Sequence, residues 1–138
     1  MTHADFRAWV ESQLTEYLAG KSTLPPGFER VAAERGLLPL GDDLANAYFV
    51  DAAGSLFWED ALEPEAGITR MGDERERTAT LRAYGRDYPI LLSLLPPRPP
   101  ASVTCSQCGG SGVTSLQSVE QRTFEVPCPA CAGLGWQV

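Results

Sequence analysis

The chain is poor in the groups that hydrolytic enzymes and nucleic-acid binders rely on. It has one histidine, His3, and one lysine, Lys21. A hydrolytic triad needs an imidazole to pass a proton between nucleophile and substrate, and His3 belongs to a terminus expected to be loosely held. Basic residues number 11 against 18 acids, for a net charge of -7. Such a surface repels phosphate backbones, so nucleic acid is not an expected partner. Long apolar runs are missing too: the longest, Ile90 to Leu95, is broken by Ser93 and far too short to span a bilayer. The opening Met-Thr-His-Ala-Asp-Phe-Arg has an early acid and no apolar stretch of the secretory kind, which points to a cytoplasmic protein without membrane attachment. In that reducing compartment the four cysteines are expected to hold metal rather than form disulfides.

What remains is an ordinary globular composition, 43% hydrophobic and 21% charged, in 138 residues. That suits one modest core with a small appendage. Phe6, Trp9, Val10, Leu14, Tyr17 and Leu18 fall at helical spacing and predict a first helix. Thr2 with Asp5 resembles a cap, and Gly20 is a stop signal. Gly20-Lys21-Ser22-Thr23 has the look of the end of a phosphate-binding loop. However, Thr15 stands where the first glycine of that motif belongs, and the segment closes a helix instead of opening one. Gly20 reads better as a helix C-cap with Lys21 as its dipole partner.

A second short helix is expected over 28–35, opened by Pro25-Pro26-Gly27 and ended by Gly36. Leu37 to Leu40 reads as an apolar loop. Ala47 to Val50 and Leu56 to Trp58 predict a β-hairpin, joined by a type I turn with Asp51 at its start and Gly54 in the left-handed position. Residues 59–67 read as an acidic loop, and 68–71 as a short strand. Thr78, Thr80 and Leu81 favour a strand over Arg77 to Ala83. Asp87-Tyr88-Pro89 looks like a helix start, with Ile90, Leu91, Leu94 and Leu95 on its buried side. Pro96-Pro97-Arg98-Pro99-Pro100 reads as a polyproline II linker. The expected architecture is α+β: a helix-plus-antiparallel-hairpin domain over 1–95, the linker over 96–100, and a cysteine-bearing zinc ribbon over 101–138.

The ribbon carries the chemistry. Cys105-Ser-Gln-Cys108-Gly-Gly-Ser-Gly112 and Cys128-Pro-Ala-Cys131-Ala-Gly-Leu-Gly135 both read CxxCxGxG. Each CxxC sets two sulfurs on one tight turn, and two such turns complete a tetrahedral S₄ shell that suits one structural Zn²⁺ and leaves no open coordination position. Gly110, Gly112, Gly133 and Gly135 allow left-handed backbone, so that amide N–H groups can point at the thiolates. Val113 to Leu116 and Thr123 to Val126 are expected to pair, with Phe124 and Val126 on one face. Trp136 is expected to pack beside the site.

The doubled CxxCxGxG resembles half of the cysteine-rich region of DnaJ-type co-chaperones, over residues 105–135. That resemblance implies Cys105, Cys108, Cys128 and Cys131 as zinc ligands, and a capacity to bind polypeptide. The co-chaperone J domain has no counterpart, because no HPD tripeptide occurs. Residues 24–95, with their short helices, acidic hairpin and the Tyr88-Pro89 to Leu95-Pro96 ending, loosely resemble bacterial SMI1/KNR4-type proteins. Many of those act as immunity proteins against toxins.

Charge patterning locates a candidate contact surface. Asp42, Asp43, Asp51, Glu59, Asp60, Glu63 and Glu65 lie in a stretch without Lys or Arg. These acids are expected to meet a basic protein partner, attracting it at long range. The function expected is therefore non-enzymatic protein interaction. A chaperone-like polypeptide binder, a zinc ribbon on nucleic acid and a thiol oxidoreductase are the alternatives. A reactive CxxC needs a helix start to depress its thiol pKa, which neither motif offers.

Overall fold

Phe6, Val10 and Tyr17 are buried along one side of α1 (His3–Leu18), the helix that their spacing predicts. Phe6 also stacks obliquely on Trp9, with ring centroids 5.8 Å apart. Leu18 is exposed, so the buried stripe is narrower than expected. Gly20 closes the helix with φ 78° and its N–H on the Tyr17 carbonyl at 3.1 Å, a conformation that costs glycine little. A computed structural model describes residues 3–20, 32–42, 46–60, 62–63, 67–117, 119–120 and 122–138. Thr2, Lys21 and residues 28–31 of the expected second helix lie outside them. Ala32 to Glu34 are helical. That turn ends on Gly36 at φ 84°, with Gly36 N–H on Ala33 and Leu37 N–H on Ala32, the paired bonds of a Schellman stop.

The chain divides into two compact units, 1–71 and 72–138. The first is built on a four-stranded antiparallel meander, β1 (Leu38–Asp42), β2 (Asn46–Val50), β3 (Leu56–Asp60) and β4 (Thr69–Arg70), in sequential order. The expected apolar loop at Leu37 to Leu40 is thus largely β1. Pro39 disguised it: proline lacks the N–H of an interior strand, and β1 accommodates it by lying at the sheet edge with a bulge between Pro39 and Gly41. The β2–β3 turn follows its sequence signature. Gly54, at φ 88°, donates to the Asp51 carbonyl, and Asp51 N–H to that of Ser55. Ala32, Leu37, Ala47 and Phe49 form one cluster of the core, flanked by Phe57 and Ile68.

The second unit opens with α2 (Glu74–Tyr84), where a strand was expected over Arg77 to Ala83. The deciding signals are at its ends. Asp73 caps it, its carboxylate accepting the Glu76 N–H at 2.9 Å. Glu74 and Glu76 occupy the first turn and Arg82 the last, matching the helix dipole. Thr78 and Leu81, a strand signal in isolation, become neighbours at helical spacing and are buried. The expected helix after Tyr88 is a 3₁₀ turn, Pro89–Leu94, with Leu91 buried. It packs so closely on α2 that a side chain at Gly85 would overlap Leu92.

Beyond it lie β5 (Val103–Thr104), β6 (Val113–Gln117), β7 (Thr123–Pro127) and β8 (Trp136–Gln137). They form two antiparallel ribbons, β5 with β8 and β6 with β7. The proline run does not divide the units. Arg98 pins it to β5, its guanidinium donating to Ser102 Oγ at 2.8 Å and Thr104 Oγ1 at 3.0 Å. Residues 72–95 belong with the cysteines rather than with the first domain.

Candidate metal centre

The two knuckles are copies of one another, offset by 23 residues. Each exchanges a backbone bond with the other: Cys105 N–H donates to the Gly135 carbonyl at 3.0 Å, and Cys128 N–H to that of Gly112 at 2.9 Å. The last glycine of each motif also serves its own second cysteine. Gly112 N–H donates to Cys108 Sγ at 3.3 Å, and Gly135 N–H to Cys131 Sγ at 3.2 Å. These are the amide-to-sulfur contacts expected from the glycines. Both positions are left-handed, and close packing adds a second demand. A Cβ at Gly135 would lie 2.5 Å from the Gly110 carbonyl oxygen, and one at Gly112 as close to that of Gly133.

This framework brings all four predicted ligands together. The Sγ atoms of Cys105, Cys108, Cys128 and Cys131 lie within 4.8 Å of one another, with 3.8 Å between Cys105 and Cys128 and between Cys108 and Cys131. Cys105, Cys128 and Cys131 are buried, and Cys108 is half-buried. Four sulfurs so placed can hold a metal ion, and the set is compatible with a zinc site. The protein's own groups separate the thiols. Burial raises both Cys108 and Cys131. At Cys131 burial, together with the neighbouring sulfurs of Cys108 and Cys128, prevails over the N–H groups of Gly135 and Gly133 and the thiol is pushed up. At Cys108 the N–H groups of Gly112 and Gly110, with the sulfurs of Cys105 and Cys131, outweigh burial and bring the thiol down. Cys108 thus gives up its proton more readily than Cys131, and a divalent cation would supply the charge that four thiolates need.

The chain matches no protein-family model, no curated protein and no solved structure. The centre is therefore read from its geometry. No helix among the described residues is long and apolar enough to cross a membrane.

Two arginines that the sequence reading passed over hold the second knuckle. Arg82 Nε donates to the Gly133 carbonyl at 2.6 Å, and Arg75 Nη2 to that of Pro129 at 2.8 Å. Nothing local marks them, since their acceptors lie more than 50 residues away. Trp136 is half-buried in β8, opposite Thr104.

Among the described residues, the predicted contact acids do not form one surface. Register places Asp42 and Asp60 at the same end of the sheet, with β2 between them, and Glu63 follows in the turn closed by its N–H on the Asp60 carbonyl. Asp42 and Glu63 are exposed, and Asp60 is half-buried, accepting the Leu62 N–H. Asp51 lies at the opposite end, where its carboxylate accepts the N–H groups of Ala53 and Ser55 and shapes the turn. Glu59 is only 5% exposed, on the core side of β3 with Phe57, so it is not part of a contact surface. Burial raises its pKa, with the Arg35 charge pulling the other way. Asp43 and Glu65 lie outside the described residues.

Proposed function

We propose that this is a non-enzymatic, cytoplasmic zinc protein whose task is to bind another protein. The observation that carries the zinc is the sulfur geometry. A tetrahedron with Zn–S bonds of about 2.3 Å has edges of about 3.8 Å, and the Cys105–Cys128 and Cys108–Cys131 Sγ pairs are each 3.8 Å apart. Cys105, Cys108, Cys128 and Cys131 fill such a shell completely, so the ion braces the fold and takes no substrate. Metal analysis of the native protein is expected to find one zinc per chain. Iron, or a disulfide in place of metal, would overturn the assignment.

The partner reading rests on the acids that remain at the surface. Asp42, Asp60 and Glu63 share one sheet end and present negative charge to a basic protein, of the kind a nuclease-like toxin would offer. The resemblance to immunity proteins supports this. Co-purification from native lysate is expected to recover a basic partner at low salt and lose it at high salt, and Asp42→Asn with Glu63→Gln to weaken its capture. Recovery of no protein at low salt removes this reading.

A second reading follows from the β6–β7 ribbon. Leu116 and Phe124 stand opposite each other and are 50% and 43% exposed. With Val126 on the same face, they form an apolar strip that an extended polypeptide could cover, as the DnaJ resemblance suggests. Leu116→Ser with Phe124→Ser would abolish capture of an unfolded client under this reading and leave a toxin-type partner bound.

A further inference from the structure

The helix before the proline run is part of the metal centre. Arg75, Thr78 and Arg82 fall at i, i+3 and i+7 on α2, one side of the helix. Thr78 is buried there, 3% exposed, while Arg75 and Arg82 reach the carbonyls of Pro129 and Gly133. Pro129 lies between the two cysteines of the second knuckle, and Gly133 two residues after Cys131. The helix thus grips the backbone on both sides of Cys131.

Arg82 also covers the seam between the knuckles. A Cβ at Gly112 would lie 2.6 Å from Arg82 Nε and 2.7 Å from Cζ, and one at Gly133 would lie 2.8 Å from Arg82 Cβ. Gly112 belongs to the first knuckle and Gly133 to the second. Glycine at both places is what allows a guanidinium to settle over them. Gly112 is also the residue whose N–H serves Cys108 Sγ. A fixed positive charge over that pair opposes the formal charge of -2 that a divalent ion with four thiolates would carry, and it steadies an amide that points at sulfur.

We propose that Arg82 is a positioning residue of the metal centre, coupling α2 to the ion so that the helix is held only while metal is bound. The inference rests on the zinc reading above. Without metal the knuckles lose the constraint that presents the Gly133 and Pro129 carbonyls, and α2 loses the anchors that Arg75 and Arg82 supply. By linkage the same coupling works in reverse, so an intact α2 tightens metal binding. The metal-dependent element then spans residues 72–138 and not the knuckles alone.

The test uses the full chain loaded with zinc. Competition against a chromophoric chelator compares wild type, Arg82→Ala and Arg86→Ala. Arg86 is exposed on the turn after α2 and controls for loss of one positive charge. Arg82→Ala is expected to weaken zinc binding about 10- to 100-fold, the usual effect of losing an outer-shell partner, with Arg86→Ala near wild type. Hydrogen exchange on the wild-type chain, before and after chelation, needs no variant. Amides of residues 78–84 are expected to lose protection together with those of Gly112 and Gly135. If wild type binds zinc but both variants bind alike, or if α2 stays protected while the knuckle amides open, the coupling is refuted and the zinc reading stands. If wild type binds no zinc, both fall.

Discussion

Ala132 and Gly109 occupy the same place in their two knuckles, one residue after the second cysteine, and both are left-handed, with φ of 55° and 66°. Ala132 is the one non-glycine residue in that region among the described residues. Space allows it: a Cβ at Gly109 would meet nothing within 4 Å, whereas at Gly135 it would strike the Gly110 carbonyl. Gly109→Ala is therefore expected to cost only about 1–2 kcal/mol, the left-handed penalty of a side chain. Gly135→Ala should fail to form the site. Chelator competition on the two variants checks the ranking, and equal affinities would refute it.

Removal of the metal, or Cys128→Ser, should unfold the cysteine module. Its ribbons have little core, with Leu116 and Phe124 exposed, and metal binding in comparable small modules supplies about 10–16 kcal/mol. Lowering the pH should act in the same way, because protons compete with metal for the thiolates. Loss of dispersed amide resonances from residues 103–138 on chelation is the expected readout.

Glu59 predicts a pH effect in the first unit. Its pKa is raised by burial, so the folded chain holds that proton more tightly than the unfolded chain does. Stability from this group falls as pH rises from the unfolded pKa through the folded one. Glu59→Gln is neutral throughout. It should melt above wild type near neutral pH, and the gap should close below about pH 4, where both states are protonated. Thermal melts of the pair across this range decide it. A gap that stays constant with pH would refute the burial argument.

Asp51 and Asp42 should separate by role. Asp51→Ala removes the acceptor of two backbone N–H groups and is expected to cost about 1 kcal/mol. Asp42→Asn, at an exposed strand end, should stay within about 0.5 kcal/mol of wild type and affect partner capture instead. Denaturant melts, read beside the co-purification assay, distinguish structural from surface acids.

Much of this was written locally. The hairpin came from alternating aromatic and β-branched residues with Asp51 and Gly54 in the turn. The left-handed stop at Gly20 was readable too, because it depends on residues within one turn of helix. Two elements were hidden by local ambiguity. Pro39 masked β1, since an edge position with a bulge excuses a missing N–H and only pairing with β2 reveals that position. Thr78 and Thr80 masked α2, because their strand preference is weaker than the capping by Asp73 and the charges at the two helix ends.

For the candidate metal centre, the spacing of Cys105, Cys108, Cys128 and Cys131 and the glycines after them pointed to the four-cysteine cluster from the sequence alone. A CxxC turn and a left-handed glycine are local geometry, and two copies imply their own closure. Tertiary structure decided what surrounds it. That Arg82 lies across Gly112 and Gly133, that Glu59 is buried and that Asp51 lies at the other end of the sheet from Asp42 all depend on contacts between distant segments or on strand register, which no local pattern of residues encodes.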